Sequence, residues 1–297
     1  IKKGVLDQQK VVVDRLAAKT ESETPLQALT SPQQQALASL RDDRNQTNRF
    51  LLHGVTASGK TEVYMHLIQE VIQQGKQVLF LVPEIALTTQ MIQRLYVHFG
   101  KSMAVYHSRY TPSERVEVWN KVLVQEPSTQ LIVGARSAVL LPYSNLGLII
   151  VDESHEVAYK QFESNPRYHA RDVAVVLAGL HQAKIVLGSA SPSIESSHNS
   201  RTGKYNLVEI KERYRGFSMP EIKLIDLKVS QKKRQMNGHF SQTLIDAISK
   251  TIDAEEQVIL FQNRRGFSSF VNCTACGHVP QCPSCDVSLT YHKQNEK

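Results

Sequence analysis

A glycine-rich octapeptide carries the strongest chemical signal in this sequence. Residues 54–61 read GVTASGKT, which fits the pattern G-x-x-x-x-G-K-[S/T], between an apolar run and a stretch with helical periodicity. The N–H groups of such a loop, with the N-terminus of the helix that follows, form a cradle for phosphate groups. We predict that Gly54 and Gly59 shape this cradle. Lys60 then reaches the β- and γ-phosphates of a nucleotide, and the Thr61 hydroxyl binds Mg²⁺.

Two acidic residues follow a fully apolar segment further along the chain. Residues 146–151 read LGLIIV and are followed by Asp152 and Glu153. In parallel sheets the carboxyl ends of the strands form the edge where ligands bind, so both carboxylates are expected beside the phosphate loop. We predict that Asp152 holds Mg²⁺ through water and that Glu153 is the general base for the attacking water. An ordinary polar turn is the alternative, but the alternation of strands and helices between the two motifs favours function.

A glutamine upstream of the loop and two serines downstream of the acids are weaker candidates. Thr30 or Ser31 can cap a helix that begins near Pro32, and the Gln33 carboxamide can pair with adenine. Spacing alone favours a surface glutamine at a helix start. Ser189 and Ser191 could link the Mg²⁺ site to a nucleic-acid contact, although a capped helix start explains the bare pattern better.

The order of apolar runs and amphipathic stretches predicts an α/β domain with a mostly parallel sheet between about residues 49 and 199. The length of 297 residues indicates about two domains, and a net charge of +7 permits binding to a polyanion without establishing it. Residues 205–210 and 222–226 alternate like strands of a connecting segment. An amphipathic helix capped by Ser241 and a buried strand at 257–261 are expected to open a second α/β lobe. No apolar run has the length of a membrane span.

The cysteines form a cluster near the end of the sequence. All four lie in two C-x-x-C pairs separated by five residues: Cys273, Cys276, Cys282 and Cys285. Such pairs, each near a glycine or proline, are typical of zinc knuckles, and we predict that they bind Zn²⁺. A redox role is less well supported, because no helix N-terminus accompanies either pair. The clustering also indicates a reducing compartment and hence a cytoplasmic protein.

Ten motifs together resemble the family of bacterial primosomal, or replication-restart, DNA helicases, which belongs to helicase superfamily two. In chain order they are LTSPQ, GVTASGKTEVY, VPEIALT, YHS, VGARSAVLLP, LGLIIVDESHEVAYKQ, RYHARD, LGSASPSIES, FQNRRGF and CTACGHVPQCPSCDVSLTYH. The resemblance covers residues 29–292 almost continuously. It implies a RecA-like P-loop motor lobe, 3′-to-5′ movement driven by ATP, and a role in primosome assembly at stalled forks. The implied partners are forked and single-stranded DNA, primosome proteins and single-stranded DNA-binding protein.

The resemblance also implies residue roles. It assigns adenine recognition to Gln33, and it places His155 with Asp152 and Glu153 in a D-E-x-H box, where His155 couples the ATP site to DNA. Residues 159–169 match the family's aromatic-rich loop, which couples single-stranded DNA binding to hydrolysis. In and beside this loop, stacking or phosphate contacts with DNA are expected for Tyr159, Lys160, Phe162, Arg167, Tyr168, His169 and Arg171. Without the resemblance, these residues favour a surface loop whose aromatic side chains pack on the domain.

The resemblance divides the chain into five segments. These are the tail of an upstream domain with a linker (1–26), the first motor lobe (27–204), an interdomain connection (205–240), the start of a second lobe (241–271) and a truncated zinc-binding segment (272–297). Family members carry four further cysteines and second-lobe arginines that complete the ATP site. We therefore expect incomplete zinc sites and a fragment that binds nucleotide weakly and is impaired in hydrolysis.

Two departures from the family pattern leave a second hypothesis open. Ala57 stands where the family has another glycine, and Ser154 replaces the second glutamate of the box. The alternative is therefore a zinc-containing nucleic-acid-binding module whose P-loop is vestigial. Replacement of Lys60 by alanine separates the two hypotheses, because only a working P-loop loses nucleotide binding.

Overall fold

The computed structural model describes residues 24–42, 47–83, 89–107, 110–162, 165–213, 221–261 and 278–279. The chain divides into two units, at residues 1–219 and 220–297. Among the described residues of the first unit, the strands are β1 (Arg49–Gly54), β2 (Gln77–Leu81), β3 (Met103–Tyr106), β4 (Leu131–Gly134), β5 (Leu146–Val151), β6 (Lys184–Ser189) and β7 (Asn206–Ile210). The helices are α1 (Ser31–Arg41), α2 (Lys60–Gln73), α3 (Thr89–Phe99), α4 (Pro112–Leu123), α5 (Ala170–His181) and α6 (Ile194–Arg201).

The strands form one sheet in the order β3-β4-β2-β5-β6-β1-β7, and every neighbouring pair is parallel. Apolar side chains alternate between its two faces. One face packs against α1, α2 and α3, and the other against α4 and α5. Because strands such as β2 are buried on both faces, they read as continuous apolar runs. The predicted α/β lobe with a mostly parallel sheet is confirmed.

Local capping signals in the sequence coincide with the ends of helices in the structure. At α4, the Thr111 N–H donates to Glu114 Oε2 at 2.7 Å, and Thr111 Oγ1 accepts from the Glu114 N–H at 3.4 Å. At the end of α2, Gly75 has a φ of +72° and its N–H donates to the Ile72 oxygen at 2.8 Å. This left-handed residue closes the helix and turns the chain into β2.

The boundary predicted between the first lobe and the connection is wrong. Residues 205–240 were assigned to the connection, but β7 pairs in parallel with β1 over the whole of its length, from Asn206 opposite Phe50 to Ile210 opposite Gly54. Val208 and Ile210 are buried in the same core as α1 and α2, so β7 belongs to the lobe. At the other end, the Thr24 N–H donates to the Val97 oxygen at 3.0 Å, which places the end of the predicted 1–26 linker on α3.

The second unit contains α7 (Leu227–Lys232), the short antiparallel pair β8 (Met236–Asn237) and β9 (Phe240–Ser241), and α8 (Gln242–Asp253). The predicted cap of α8 is confirmed, because Ser241 Oγ accepts from the Leu244 N–H at 3.3 Å. Two expected strands are absent from these described residues: 221–226 and 256–261 have no regular structure. Phe261 is 85% exposed, so the buried strand predicted at 257–261 is wrong for this structure. Within the described ranges, no helix has both the length and the apolar character needed to cross a membrane.

Candidate nucleotide-binding site

The glycine-rich loop joins the carboxyl end of β1 to the first turn of α2. The Val55 N–H donates to the Ile210 oxygen at 3.1 Å, and the Ser58 N–H donates to the Val55 oxygen at 3.0 Å. A Cβ on Gly54 would lie 2.6 Å from Ser58 Oγ, so a side chain at this position would collide with the loop. Gly59 has a φ of +79° and precedes Lys60, the first residue of α2. The strand, loop and helix therefore have the arrangement that the pattern predicts for a phosphate cradle.

Ala57 occupies the loop in a left-handed conformation, with a φ of 61°. Glycine adopts this region freely, whereas a residue with a Cβ is strained there by about 1–2 kcal/mol. The loop nonetheless closes with an alanine at this position, so the departure from the family pattern costs stability without preventing the turn.

The Lys60 side chain folds back against the phosphate loop. Its Nζ donates to the Gly54 oxygen at 2.9 Å, and the side chain is buried. Thr61 follows it in the first turn of α2. These are the positions that the sequence predicts for phosphate and Mg²⁺ binding, and the structure brings them together at one end of the sheet.

Asp152 follows the carboxyl end of β5, where its N–H donates to the Leu81 oxygen at 2.9 Å. Burial, followed by the negative charge of Glu153, raises the pKa of Asp152 from 3.8 to about 6. The Lys60 ammonium and a hydrogen bond from Tyr64 act in the opposite direction. A buried carboxylate with too little compensating positive charge fits a divalent cation, which would supply that charge. The residues present therefore suit Mg²⁺.

Two buried tyrosines hold Asp152. Tyr64 Oη donates to Asp152 Oδ1 at 3.1 Å. Tyr159 Oη lies 2.6 Å from the backbone oxygen of Asp152 and 3.1 Å from that of Leu81, and it donates to the nearer one. Because Tyr159 is only 1% exposed, its ring has no free face for a base. The prediction that Tyr159 stacks on DNA is therefore wrong for this structure, in which it supports the backbone of Asp152.

Glu153 and His155 lie beside Asp152 in the turn after β5. Glu153 has a φ of 44°, and its Oε2 is 3.7 Å from His155 Nδ1. His155 Nδ1 is also 2.8 Å from Ser189 Oγ, and its Nε2 is 3.3 Å from Ser191 Oγ. The histidine therefore bridges the acidic box and the serines after β6. This is the arrangement that the prediction of a coupling role for His155 requires.

Gln33 is buried at 2% exposure and spans two backbone groups. Its Oε1 accepts from the Thr30 N–H at 2.9 Å, and its Nε2 donates to the Ser58 oxygen in the phosphate loop at 3.1 Å. A surface glutamine, the reading that spacing alone favoured, is excluded by this burial. The carboxamide is in contact with the phosphate loop.

The remaining candidates for DNA contact form a small hairpin-like segment. Lys160 and His169 are joined by an antiparallel bridge, and Lys160 Nζ lies 4.9 Å from the centre of the Phe162 ring, which is 52% exposed. Burial and the Arg171 charge lower the pKa of His169, so this imidazole is neutral near pH 7. Exposed Phe162 and cationic Lys160 are therefore the pair best placed to meet a nucleic acid.

Three further positions from the predicted DNA-contact set differ in their availability. Arg167 is exposed, whereas Tyr168 is half-buried. Arg171 is largely buried, with its Nε 2.9 Å from Asp172 Oδ1 and its Nη1 donating to Ser193 Oγ at 3.3 Å. The charge of Arg171 is thus already compensated within the lobe.

The zinc prediction falls on residues that the structure does not describe. The four cysteines lie outside the described ranges: Cys273, Cys276, Cys282 and Cys285. Among the described residues, no group of three or more histidine, cysteine or acidic side chains could hold a metal ion.

Three positions that matter to the site were not identified from the sequence. Tyr64 and Gly188 both adjoin Asp152, and Arg136 Nη1 donates to the Lys160 oxygen at 2.8 Å, at the base of the aromatic segment. Tyr64 follows Lys60 by one helical turn, and this spacing was the available signal. Gly188 lies in the quoted motif LGSASPSIES, but its close approach to Tyr64 and Asp152 depends on other elements and cannot be seen in the motif.

Comparisons with known proteins agree with the motifs. A family model described as DEAD/DEAH box helicase matches residues 30–199. The chain is 43% identical over 301 residues to the replication restart protein PriA of Bacillus subtilis (strain 168), covering 100% of this chain and 37% of that protein. It is 43% identical over 265 residues to PriA of Chlamydia pneumoniae, covering 88% of this chain and 35% of that protein. The chain thus spans little more than a third of the length of these relatives.

A structure of RecG bound to a three-way DNA junction is also similar, with a TM-score of 0.47 and 23% identity over 66% of this chain and 25% of that one. The resemblance to replication-restart helicases that the motifs carry is confirmed by the PriA matches. Since the helicase model covers more than half of the sequence, including the phosphate loop, the acidic box and the serines after β6, the chain belongs to the DEAD/DEAH box helicase family.

Proposed function

We propose that this chain is the ATP-binding part of an ATP-dependent DNA helicase that moves 3′ to 5′ and assembles the primosome at stalled forks. The observation that carries the proposal is the pairing of a formed phosphate loop with a buried carboxylate. Lys60 lies against the loop, and burial together with the charge of Glu153 raises the pKa of Asp152 to about 6, although the Lys60 ammonium lowers it. Both features fit a nucleotide bound together with Mg²⁺.

The proposed steps at the site use residues of this chain. Lys60 leaves the Gly54 oxygen and pairs with the β- and γ-phosphates, which exchanges a neutral acceptor for an anionic one. Thr61 and Asp152 hold the Mg²⁺ ion, which neutralises charge on the phosphates when bound. Glu153 takes a proton from the attacking water. To read the adenine edge, the Gln33 carboxamide would exchange its hydrogen bond with the Thr30 N–H or the Ser58 oxygen for one with the base. His155 transmits the state of the site to Ser189 and Ser191.

The proposed DNA contact uses the exposed part of the aromatic segment. Phe162 offers a ring for base stacking, and Lys160 with Arg167 offers positive charge for phosphates. The family resemblance of the motifs implies forked and single-stranded DNA as the substrates. By the same resemblance, the partners would be primosome proteins and a single-stranded DNA-binding protein, in the cytoplasm.

A nucleotide-binding experiment tests the proposal. Fluorescent methylanthraniloyl-ATP is titrated with the wild-type chain, Lys60→Ala and, as a matched control, Lys76→Ala, whose lysine is exposed. We expect Mg²⁺-dependent binding that Lys60→Ala weakens at least tenfold and Lys76→Ala leaves unchanged. Gln33→Ala should reduce the preference for ATP over GTP. If the wild-type chain binds DNA but no nucleotide, the alternative of a nucleic-acid-binding module with a vestigial P-loop is correct.

A turnover measurement addresses hydrolysis. The resemblance assigns the opposite wall of the ATP site to a second lobe, so we propose that this chain alone hydrolyses ATP slowly, with or without single-stranded DNA. Turnover stimulated by DNA to the rate of an intact PriA protein measured alongside would contradict this.

Zinc content measured by mass spectrometry tests the prediction that the four cysteines bind Zn²⁺. Alanine variants of Cys273 and Cys276 serve as the comparison.

A further inference from the structure

The hydroxyl of Tyr64 lies on the carboxylate to which the proposed function assigns Mg²⁺. Its Oη donates to Asp152 Oδ1 at 3.1 Å, and the side chain is completely buried. Tyr64 lies one helical turn after Lys60 in α2. The helix that begins at the phosphate loop therefore also carries a hydrogen-bond donor to the acidic residue after β5.

Room for this hydroxyl depends on Gly188 in β6. A Cβ at residue 188 would lie 1.6 Å from Tyr64 Oη, 2.8 Å from Tyr64 Cζ and 3.4 Å from Asp152 Oδ1. The Gly188 oxygen also accepts from the Ser154 N–H at 2.9 Å, which ties β6 to the acidic box. Any side chain at residue 188 would displace the tyrosine, so the hydrogen bond and the glycine form one arrangement.

Packing alone does not account for a tyrosine at this position. The Tyr64 ring meets the Phe80 ring edge to face, with centroids 5.8 Å apart, and a phenylalanine at residue 64 would fill the same space. The extra hydroxyl must be removed from water, which is unfavourable unless it finds a partner. That partner is Asp152, so the hydrogen bond to its carboxylate explains the hydroxyl, whereas packing in the core does not.

We propose that Tyr64 is a positioning residue for magnesium. Its hydrogen bond restricts rotation of the Asp152 carboxylate and orients it before the cation arrives. Tyr159 fixes the backbone of the same residue from the other side. Partners that orient a metal-binding side chain commonly change metal affinity by about tenfold or more when removed. Because Asp152 is proposed to bind Mg²⁺ through water, we expect a smaller change, of about three- to tenfold. This inference depends on the proposed function, since that function makes Asp152 a Mg²⁺ ligand.

The test compares two tyrosine-to-phenylalanine variants of the same chain. Tyr64→Phe removes the hydroxyl on Asp152. Tyr143→Phe removes another buried hydroxyl, which donates to the Ala138 oxygen at 3.0 Å and does not touch Asp152. Binding of methylanthraniloyl-ADP is measured while Mg²⁺ is raised from zero, with EDTA present at the start. Fluorescence of Trp119, the single tryptophan, reports whether each variant is folded.

For Tyr64→Phe, we expect the Mg²⁺ concentration at half-maximal nucleotide binding to rise about three- to tenfold. Affinity for nucleotide without Mg²⁺ should change less than twofold, and Tyr143→Phe should leave both quantities within twofold of wild type. The inference is overturned if Tyr64→Phe shows wild-type Mg²⁺ dependence. It is also overturned if that variant loses Mg²⁺-free binding to the same degree, because a merely structural role would act on both.

The two proposals fail in different ways. If the wild-type chain binds no nucleotide at any Mg²⁺ concentration, the proposed function fails and the inference fails with it. If the wild type binds in a Mg²⁺-dependent manner and Tyr64→Phe behaves identically, the proposed function stands and only the positioning role is rejected.

Discussion

Asp152→Asn should stabilise the nucleotide-free lobe while destroying its Mg²⁺ site. The pKa of Asp152 in the folded chain is raised from 3.8 to about 6. The folded state therefore binds the proton more tightly than the unfolded state, and this contribution to stability is lost as the pH rises through the folded pKa. Above pH 6 the folded lobe must keep an ionised carboxylate that burial disfavours. Asparagine is neutral, has nearly the same shape, and still offers Tyr64 an acceptor.

The size of the effect follows from the two pKa values. A difference of about 2 pKa units corresponds to about 3 kcal/mol at pH 8, since each unit is worth about 1.4 kcal/mol. At pH 5 the unfolded carboxyl is still largely ionised but the folded one is protonated, and the difference falls to about half of that value. The advantage of Asp152→Asn over wild type should shrink by about half between pH 8 and pH 5.

Urea denaturation followed by Trp119 fluorescence measures this, because Trp119 lies in α4 of the first unit. The exposed Glu212→Gln removes a carboxylate from the same unit and should change the free energy of unfolding little at either pH. The reasoning is refuted if Asp152→Asn is less stable than wild type at pH 8. It is equally refuted if the difference between them does not depend on pH.

Four further substitutions test other parts of the lobe. Ala57→Gly should raise the free energy of unfolding by about 0.5–1 kcal/mol in urea, because glycine relieves the left-handed backbone at φ 61°; an unchanged value would show that the loop is not strained. Gly59→Ala should reduce nucleotide affinity at least tenfold in fluorescence titrations, since its φ is +79° and its Cβ would lie 2.1 Å from Gln33 Nε2; near-normal affinity would refute this close contact. Tyr159→Phe should cost about 1 kcal/mol of stability with no change in single-stranded DNA affinity, while Phe162→Ala should weaken DNA binding by anisotropy without affecting stability. If Tyr159→Phe weakens DNA binding and Phe162→Ala does not, Tyr159 contacts DNA and the burial argument is wrong.

Features of the fold that depend on neighbouring residues in the chain were predictable from the sequence. The phosphate loop, the apolar strand before Asp152 and the caps at Thr111 and Ser241 each rest on a few consecutive side chains. Their conformations follow from backbone geometry and hydrogen bonding within one or two turns. These local conformations could therefore be predicted before any contact between distant elements was known.

Features that depend on distant elements were missed or wrongly assigned. The family resemblance predicts that Tyr159 contacts DNA, whereas the residues alone favour aromatics packed on the domain. The structure buries Tyr159, and its hydroxyl contacts the backbone oxygens of Leu81 and Asp152. In β7, Leu207 and Glu209 face solvent and alternate with buried residues, a pattern that a connecting strand would share. Only the pairing with β1 distinguishes the two cases. Strand order is likewise a tertiary property, since β1 lies between β6 and β7 rather than beside β2.

The position of β7 has a consequence for any attempt to prepare the first lobe by itself. A chain that stops at residue 204 would retain every motif of the site but would remove the outer neighbour of β1. The apolar strand Phe50-Leu51-Leu52 would then become a sheet edge with open hydrogen-bonding groups, a form prone to self-association. Loss of Ile210 would also free the Val55 N–H at the start of the phosphate loop. A shortened protein should therefore extend through Ile210. A shorter one is expected to precipitate through the exposed edge of β1, and that precipitation could be mistaken for an inability of the lobe to fold.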